Sequence, residues 1–149
     1  MMRTLAAFAQ ACGGQLAGAD AAFTDVVSDS RTLEPGQLFV ALKGPSFDGH
    51  EFVRAALERG AAGAVVAAPQ QLPLPQVVVA DPQAALARAA AAWRAAFAGP
   101  LVGVAGSNGK TTAKEMTAAI LAASGPCLAT RGNLNNHIGV PLTLLRLTA

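Results

Sequence analysis

The segment GVAGSNGKTTAKEM, residues 103–116, has the residue types needed to bind phosphates. Its glycines let backbone N–H groups converge on anionic oxygens, and a helix predicted from Lys110 adds the partial positive charge of its N-terminus. In such a loop Lys110 would reach the outer phosphates, Thr111 would offer a hydroxyl to Mg²⁺, and Thr112 would offer a second hydroxyl to the phosphates. The pattern predicts a nucleotide-phosphate loop; the alternative is a glycine-rich turn without a ligand.

The spacing of this loop differs from the general phosphate-loop pattern G-x-x-x-x-G-K-[ST]. Counting back from Gly109, the first glycine of that pattern would fall at Val104. The chain instead has the shorter form G-x-x-G-K-T, from Gly106 to Thr111. An apolar strand predicted over 101–105 and the following helix still give the loop the strand-to-helix context that phosphate binding requires.

Strands alternate with helices around this loop and before it. Hydrophobic periodicity and turn residues predict helices over 4–12, from about 52 to 60, over 82–97, over 110–123 and from about 142, and strands over 24–30, 38–42, 63–67, 77–80, 101–105 and 127–130. The alternation predicts an α/β fold, with a small N-terminal α/β substrate domain followed by the start of a P-loop parallel-sheet ATPase domain.

The predicted boundary lies at Asp81-Pro82, an N-cap residue followed by proline at the first helical position. Residues 1–82 form one unit, and residues 83–149 form a connecting helix, on which Trp93 is expected to pack, and the first part of a second unit. The second unit has only two predicted strands, and a parallel sheet that small cannot have both its faces covered. We therefore interpret the chain as a piece of a longer protein.

Composition narrows the class of protein. The chain has 149 residues, of which 52% are hydrophobic and 13% charged, with a net charge of +2; this excludes disorder by composition. No basic run suggests a nucleic-acid partner, and no segment predicts a membrane span or a signal peptide. We expect a cytoplasmic protein in which Cys12 and Cys127 are buried, reduced thiols.

Three further polar clusters allow two interpretations each. The serines and arginine of SDSR (28–31) could bind a polar ligand or satisfy their own turn, and in GPSFDGH (44–50) Asp48 could cap the next helix, with His50 at its start. The asparagines of GNLNNHIGVP (132–141) could bind a ligand or only stabilise a loop, and His137 is expected to be a loop residue. The sequence contains no Ser-His-Asp set and no metal-ligand cluster.

Three segments, in the same order, resemble the Mur ligases, the amide-forming enzymes of bacterial cell-wall precursor synthesis. GVAGSNGKTTAKEM resembles the family's ATP loop, including its short spacing. SDSRTLEPGQLFVALKGPSFDGHEFVRAALERGAAGAVV resembles the N-terminal domain of the two late-acting members, which holds the uridine-diphosphate end of the substrate. TRGNLNNHIGVPLTLLRL resembles the last-acting member.

The resemblance implies an ATP-dependent ligase that adds D-alanyl-D-alanine to UDP-N-acetylmuramoyl-tripeptide through an acyl phosphate. It implies ATP and Mg²⁺ as cofactors and a monomer without a nucleic-acid or membrane partner. Because the rest of the family's site lies beyond Ala149, we expect the 149-residue chain alone to be inactive.

By the same resemblance, site residues fall into four groups. The catalytic residues are Lys110 and Thr111, and Thr111 is also the metal ligand. The nucleotide contacts are Gly106, Ser107, Asn108, Gly109, Lys110, Thr111, Thr112, Asn133 and Asn136, with Asn135 near the peptide end. The substrate contacts are Ser28, Ser30, Arg31, Pro45, Ser46 and Phe47.

Three alternatives stay open. The first is the diamino-acid-adding ligase of the same family, against which the asparagine loop argues. The second is folylpolyglutamate synthase, which shares the ATP loop but has no counterpart of the DSR…PG…LFVALKG segment. The third, from another class, is a non-catalytic module that binds a nucleotide or a UDP-sugar.

Overall fold

The computed structural model describes residues 3–132 and 134–148. Five α-helices, one short 3₁₀ helix and five strands make up this part of the chain. In chain order they are α1 (Leu5–Cys12), β1 (Gln15–Ala17), β2 (Val26–Val27), β3 (Leu38–Val40), the 3₁₀ helix (Gly49–Phe52), α2 (Val53–Glu58), β4 (Gly63–Val66), β5 (Gln76–Val78), α3 (Pro82–Ala95), α4 (Lys110–Ala122) and α5 (Gly139–Leu144).

The five strands form one mixed sheet in the order β1-β5-β4-β3-β2. Strands β2, β3, β4 and β5 are parallel to one another, and β1 joins the edge antiparallel to β5. The carboxyl ends of the four parallel strands therefore lie at the same edge of the sheet, where open α/β sheets bind ligands. The predicted α/β class is confirmed.

Each face of the sheet is covered by helices, so the central strands are buried on both sides. Along β3, Leu38 and Val40 point into a cluster with α1 and α3, whereas Phe39 points into a second cluster with α2. This follows from the two-residue period of a strand. All four residues of β4 are buried, as expected for the centre of a parallel sheet.

The helix boundaries follow the capping signals in the sequence. The carboxylate of Asp81 accepts hydrogen bonds from the backbone N–H groups of Gln83 and Ala84, and Pro82 occupies the first turn of α3. Gly60 follows α2 with φ +81°, a conformation that glycine adopts at little cost. The predicted start of α3 and the predicted stop at Gly60 are confirmed.

Two of the predicted strands are wrong. The segments 101–105 and 127–130 are not strands, because neither is paired with another strand in the described part of the chain. β1 was not predicted because its three residues, QLA, include only one large apolar side chain and form no apolar run. α5 begins at Gly139, earlier than the expected start at about residue 142.

The end of the chain packs against its beginning. Leu145, after α5, belongs to the same buried cluster as α1 and α3. The indole N–H of Trp93 donates a hydrogen bond to the Leu147 carbonyl at 3.0 Å, and the Arg3 guanidinium lies 5.2 Å from the centre of the indole ring. The expected packing role of Trp93 is confirmed. The division of the chain into units at residue 82 stays a prediction.

The two cysteines differ in exposure, so the expectation of two buried thiols is correct for Cys12 and wrong for Cys127. Cys127 is exposed because its segment does not enter a sheet. Burial raises the pKa of the Cys12 thiol, which further lowers its reactivity because the thiolate is the nucleophile.

We expect Ellman's reagent to modify one thiol of the native chain rapidly at about pH 8 and both thiols in urea. Cys127→Ser should remove the fast reaction, and Cys12→Ser should leave it. Two equally fast native thiols would contradict the packing of α1.

No helix in the described residues has both the length and the hydropathy needed to cross a membrane.

Candidate substrate and phosphate sites

The segment from Gly106 to Gly109 forms a tight turn that leads directly into α4. Gly106 has φ +150° and Gly109 has φ +74°, values that side-chain-bearing residues rarely adopt. A Cβ at Gly109 would meet no atom within 4 Å, so glycine is required there by backbone conformation and not by space. The predicted glycine turn is therefore present, with its glycines where the turn needs them.

The N-terminus of α4 is open for a ligand. Gly109 is the N-cap residue and supplies no side-chain cap, so the first N–H groups of the helix lack the partner that a capping side chain would give. Thr111 and Thr112 lie in this first turn and are exposed. Exposed N–H groups at a helix N-terminus are well suited to an anion.

Lys110 folds back over the turn. Its Nζ donates a hydrogen bond to the Gly106 carbonyl at 2.7 Å, with the side chain in solvent. The ammonium group therefore lies beside the glycine turn, where it would contact an anion bound at the start of α4. The predicted phosphate-loop residues 106–112 are thus gathered at one place.

The donors available to a magnesium ion are few. Among residues 3–132 and 134–148, no three His, Cys, Asp or Glu side chains form a group that could hold a metal. The Thr111 hydroxyl is a hard oxygen donor at the helix start, and Mg²⁺ in phosphate sites commonly takes one or two protein oxygens together with phosphate oxygens and water. The residues fit a metal that is held mainly by the nucleotide.

A second polar group follows β2 at the carboxyl edge of the sheet. Ser28 is half-buried and Ser30 is buried, 9% exposed. Arg31 forms a bidentate pair with Asp29 (Nε to Oδ1 3.0 Å, Nη2 to Oδ2 2.8 Å). The structure therefore places a guanidinium paired with Asp29 in the same turn as the two serines.

The Asp29–Arg31 pair stays charged throughout the neutral range. The Arg31 side chain, through its hydrogen bond, lowers the pKa of Asp29 to about 2. The pair therefore contributes stability above the ordinary carboxyl pKa of about 3.9, and this is lost as the pH falls through about 2. The contribution is small because solvent screens the pair, with the Arg31 side chain 87% exposed.

Residues 43–48, which we call the 43–48 loop, follow the adjacent strand β3. The loop is closed by hydrogen bonds from Gly44 N–H to the Phe47 carbonyl (2.9 Å) and from Gly49 N–H to the Leu42 carbonyl (2.8 Å). Pro45, Ser46 and Phe47 form its exposed tip. Because β2 and β3 are neighbouring parallel strands, the predicted substrate residues of the SDSR turn and of this loop lie at the same sheet edge.

Asp48 and His50 fasten the base of this loop. Asp48 caps the 3₁₀ helix by accepting a hydrogen bond from the backbone N–H of His50 (3.0 Å), as predicted. The sequence did not reveal that the His50 ring also accepts a hydrogen bond from Ala67 N–H (2.9 Å) at the end of β4. That partner lies 17 residues away, and only the fold brings the two together.

The asparagine loop has a structural role at one position. The side-chain oxygen of Asn136 accepts hydrogen bonds from the backbone N–H groups of Ile138 (3.1 Å) and Gly139 (2.7 Å) and so begins α5. Asn135 and His137 are exposed. Asn133 lies outside the described residues. The nucleotide contacts predicted for Asn133 and Asn136 stay predictions.

Comparison with known proteins decides the family. The model described as "Mur ligase family, catalytic domain" matches residues 22–120, more than half of the chain. The chain belongs to the Mur ligase family. The model of the Mur ligase middle domain matches residues 104–149, which include the phosphate loop and α5.

The chain is also similar in sequence to individual Mur ligases. The chain is 48% identical to the UDP-N-acetylmuramoyl-tripeptide–D-alanyl-D-alanine ligase of Escherichia coli over 97% of its own length and 32% of that protein. It is 44% identical to the enzyme of the same name from Bacillus subtilis over 80% of its own length and 27% of that protein. The chain thus spans about a third of the curated Mur ligases that it matches.

Solved Mur ligase structures share the fold. The D-alanyl-D-alanyl ligase structure from Acinetobacter baumannii superposes with a TM-score of 0.89 at 38% identity and covers 99% of this chain, which corresponds to 34% of that one. The MurF ligase of Thermotoga maritima, solved in complex with ADP, gives a TM-score of 0.71 at 34% identity over 84% of this chain and 29% of that one.

Proposed function

We propose that this chain is the substrate-binding and phosphate-loop portion of an ATP-dependent ligase that joins D-alanyl-D-alanine to UDP-N-acetylmuramoyl-tripeptide. The observation that carries the proposal is the pairing of an open, glycine-built helix start at residues 106–112 with a polar sheet edge at residues 28–31 and 43–48. Relatives of this name match across nearly the whole chain. The enzyme would act in peptidoglycan precursor synthesis and hence in maintaining cell shape and in division.

The chemistry requires activation of a carboxylate. A carboxylate is a poor acyl donor because its leaving group would be oxide, whereas an acyl phosphate can expel phosphate. The γ-phosphoryl group of ATP is transferred to the terminal carboxylate of the tripeptide, and ADP leaves. The dipeptide amine then attacks the acyl carbon, gives up a proton, and phosphate departs as the amide bond forms.

The residues of this chain would contribute mainly by position and charge. Backbone N–H groups from Gly106 to Gly109 and the first turn of α4 would hold the phosphates, and Lys110 would neutralise charge on the transferring phosphoryl group. Thr111 would hold a magnesium ion, which supplies further charge neutralisation when bound. Asn133 and Asn136 are proposed to lie near the nucleotide.

The carboxyl edge of the sheet would hold the uridine-diphosphate end of UDP-N-acetylmuramoyl-tripeptide. Ser28, Ser30 and Arg31 would contact the uridine-diphosphate sugar together with Pro45, Ser46 and Phe47. A guanidinium and hydroxyl groups are suitable partners for a diphosphate. We further propose a cytoplasmic location, where ATP and UDP-sugars are available, and a monomeric protein.

The test is phosphate release by the longest native protein that contains this chain. The mixture holds ATP, Mg²⁺ and UDP-N-acetylmuramoyl-tripeptide, with and without D-alanyl-D-alanine. We expect release that depends on the dipeptide, and no turnover by the 149-residue chain alone.

Other outcomes would assign a different function. Release that depends on a diamino acid, with UDP-N-acetylmuramoyl-dipeptide as acceptor, would indicate the other late-acting ligase of the family. Binding of nucleotide without any release from the folded longer protein would leave a non-catalytic binding module.

A further inference from the structure

His50 lies in a chain of hydrogen bonds that joins the 43–48 loop to the neighbouring strand. Its Nε2 accepts from Ala67 N–H at 2.9 Å, just past the end of β4. Its Nδ1 lies 2.6 Å from Oδ1 of Asp48, and the other oxygen of Asp48 lies 3.7 Å from Nζ of Lys43. One imidazole thus spans the base of the loop and an adjacent strand end.

The partners of the ring fix its protonation state. A backbone N–H always carries its proton, so Nε2 must be the unprotonated nitrogen in this arrangement. Nδ1 then carries the proton and donates it to the Asp48 carboxylate. The observed geometry therefore belongs to the neutral Nδ1–H tautomer, and a second proton on Nε2 would face the Ala67 N–H and break that bond.

We propose that His50 is a positioning residue that, while neutral, holds the 43–48 loop in the conformation that binds the uridine-diphosphate sugar. The inference rests on the proposed function, because it takes Pro45, Ser46 and Phe47 as substrate contacts. Protonation of His50 releases the base of the loop from β4 and weakens binding of the nucleotide sugar. Affinity for that ligand therefore falls at acidic pH.

The charges around His50 set its response to pH. On its own segment these are Asp48, which attracts the imidazolium, and Lys43, which partly offsets that carboxylate. Glu51, in the same 3₁₀ helix, and Arg54, in α2, line the same surface groove as His50. From the β4–β5 connection the groove is lined by uncharged Gln70 and Gln71. The charged groups around the ring are therefore of both signs, and the Ala67 N–H is the group that faces Nε2 directly.

Calorimetric titration of the chain with UDP-N-acetylmuramoyl-tripeptide tests the proposal at about pH 8 and about pH 5, the range in which imidazole changes charge. The diphosphate of this ligand is a diester and carries the same charge at both values. We expect the wild-type affinity to fall about five- to tenfold between these values, as for loss of one hydrogen bond.

Three variants separate positioning from simple stabilisation. His50→Gln, whose amide oxygen can accept from Ala67 N–H but cannot be protonated, should bind within a few-fold of wild type at pH 8 and lose the pH dependence. His50→Asn, too short to reach Ala67, should bind weakly at both values. His137→Gln, in an exposed loop, should keep the wild-type pH profile.

Each result decides the proposal. A wild-type affinity that does not change with pH, or a His50→Gln profile equal to wild type, overturns the role of His50 while leaving the proposed substrate site intact. A folded wild-type chain that does not bind the nucleotide at either pH overturns both. ¹⁵N NMR of the wild type needs no variant: at pH 8 it should show His50 protonated at Nδ1 only, and the opposite tautomer overturns the proposal.

Discussion

Replacing Lys110 with methionine will lower ATP-dependent phosphate release by about 100- to 1,000-fold in the longest native protein that contains this chain. Methionine keeps the length and apolar stem of lysine but removes the charge. The Lys110 Nζ lies 2.7 Å from the Gly106 carbonyl oxygen, beside the glycine turn, where charge would develop on the transferring phosphoryl group. Steady-state phosphate release at saturating ATP measures the effect.

Lys114→Met is the matched control for this prediction. It removes the same charge from the same helix one turn later, where Lys114 contacts Glu115 and the Thr130 carbonyl rather than the turn. We expect its rate to stay within a few-fold of wild type. Equal losses in the two variants would mean that the rate of phosphate release depends only on the overall charge of α4. The catalytic role of Lys110 would then be wrong.

Gly49→Ala will destabilise the chain by about 1–3 kcal/mol, the range for forcing extra atoms into a packed site. A Cβ at Gly49 would lie 2.5 Å from the Leu42 carbonyl oxygen and 2.7 Å from the Leu42 nitrogen. Both atoms are backbone, so relief requires Leu42 and Gly49, the two residues that flank the 43–48 loop, to move apart. The free energy of unfolding in urea measures the loss, and binding of UDP-N-acetylmuramoyl-tripeptide should weaken with it.

Gly125→Ala is the control for that substitution. A Cβ at Gly125 would meet nothing within 4 Å, and its φ is not positive. Its free energy of unfolding should stay within about 0.5 kcal/mol of wild type, as for other surface changes. A Gly49→Ala chain as stable as this control would refute the close approach of Gly49 to the Leu42 backbone.

The parts of the fold that sequence reasoning predicted correctly are those with local causes. Asp81 and Pro82 start α3 through their own side chains, and Gly60 ends α2 through its own backbone. The apolar composition of β4 is sufficient to indicate a buried strand. The glycine turn at residues 106–109 was likewise predictable, because positive φ at Gly106 and Gly109 is a property of those residues.

The parts that were missed depend on partners distant in the chain. Segment 101–105 has the composition of a strand, but composition cannot supply the neighbour to which a strand must bond. Cys127 was expected inside for the same reason. At the candidate site, the sequence indicated that Asp48 caps a helix, which is local. It did not indicate that the His50 ring accepts a hydrogen bond from Ala67 N–H. That hydrogen bond exists only after β3 and β4 pair.

The contacts of Arg3 with Trp93 and with Leu145, just after α5, affect how the chain acquires its structure. The hydrogen bond from Arg3 to the Leu145 carbonyl joins residues 142 positions apart. α1 and α3 therefore leave a ribosome before the segment that completes their shared apolar cluster has been made. Closing so long a loop has an entropic cost, and contacts of high sequence separation slow folding. We infer that residues 5–95 collapse first and that α5 docks last, completing the apolar cluster that α1 and α3 share.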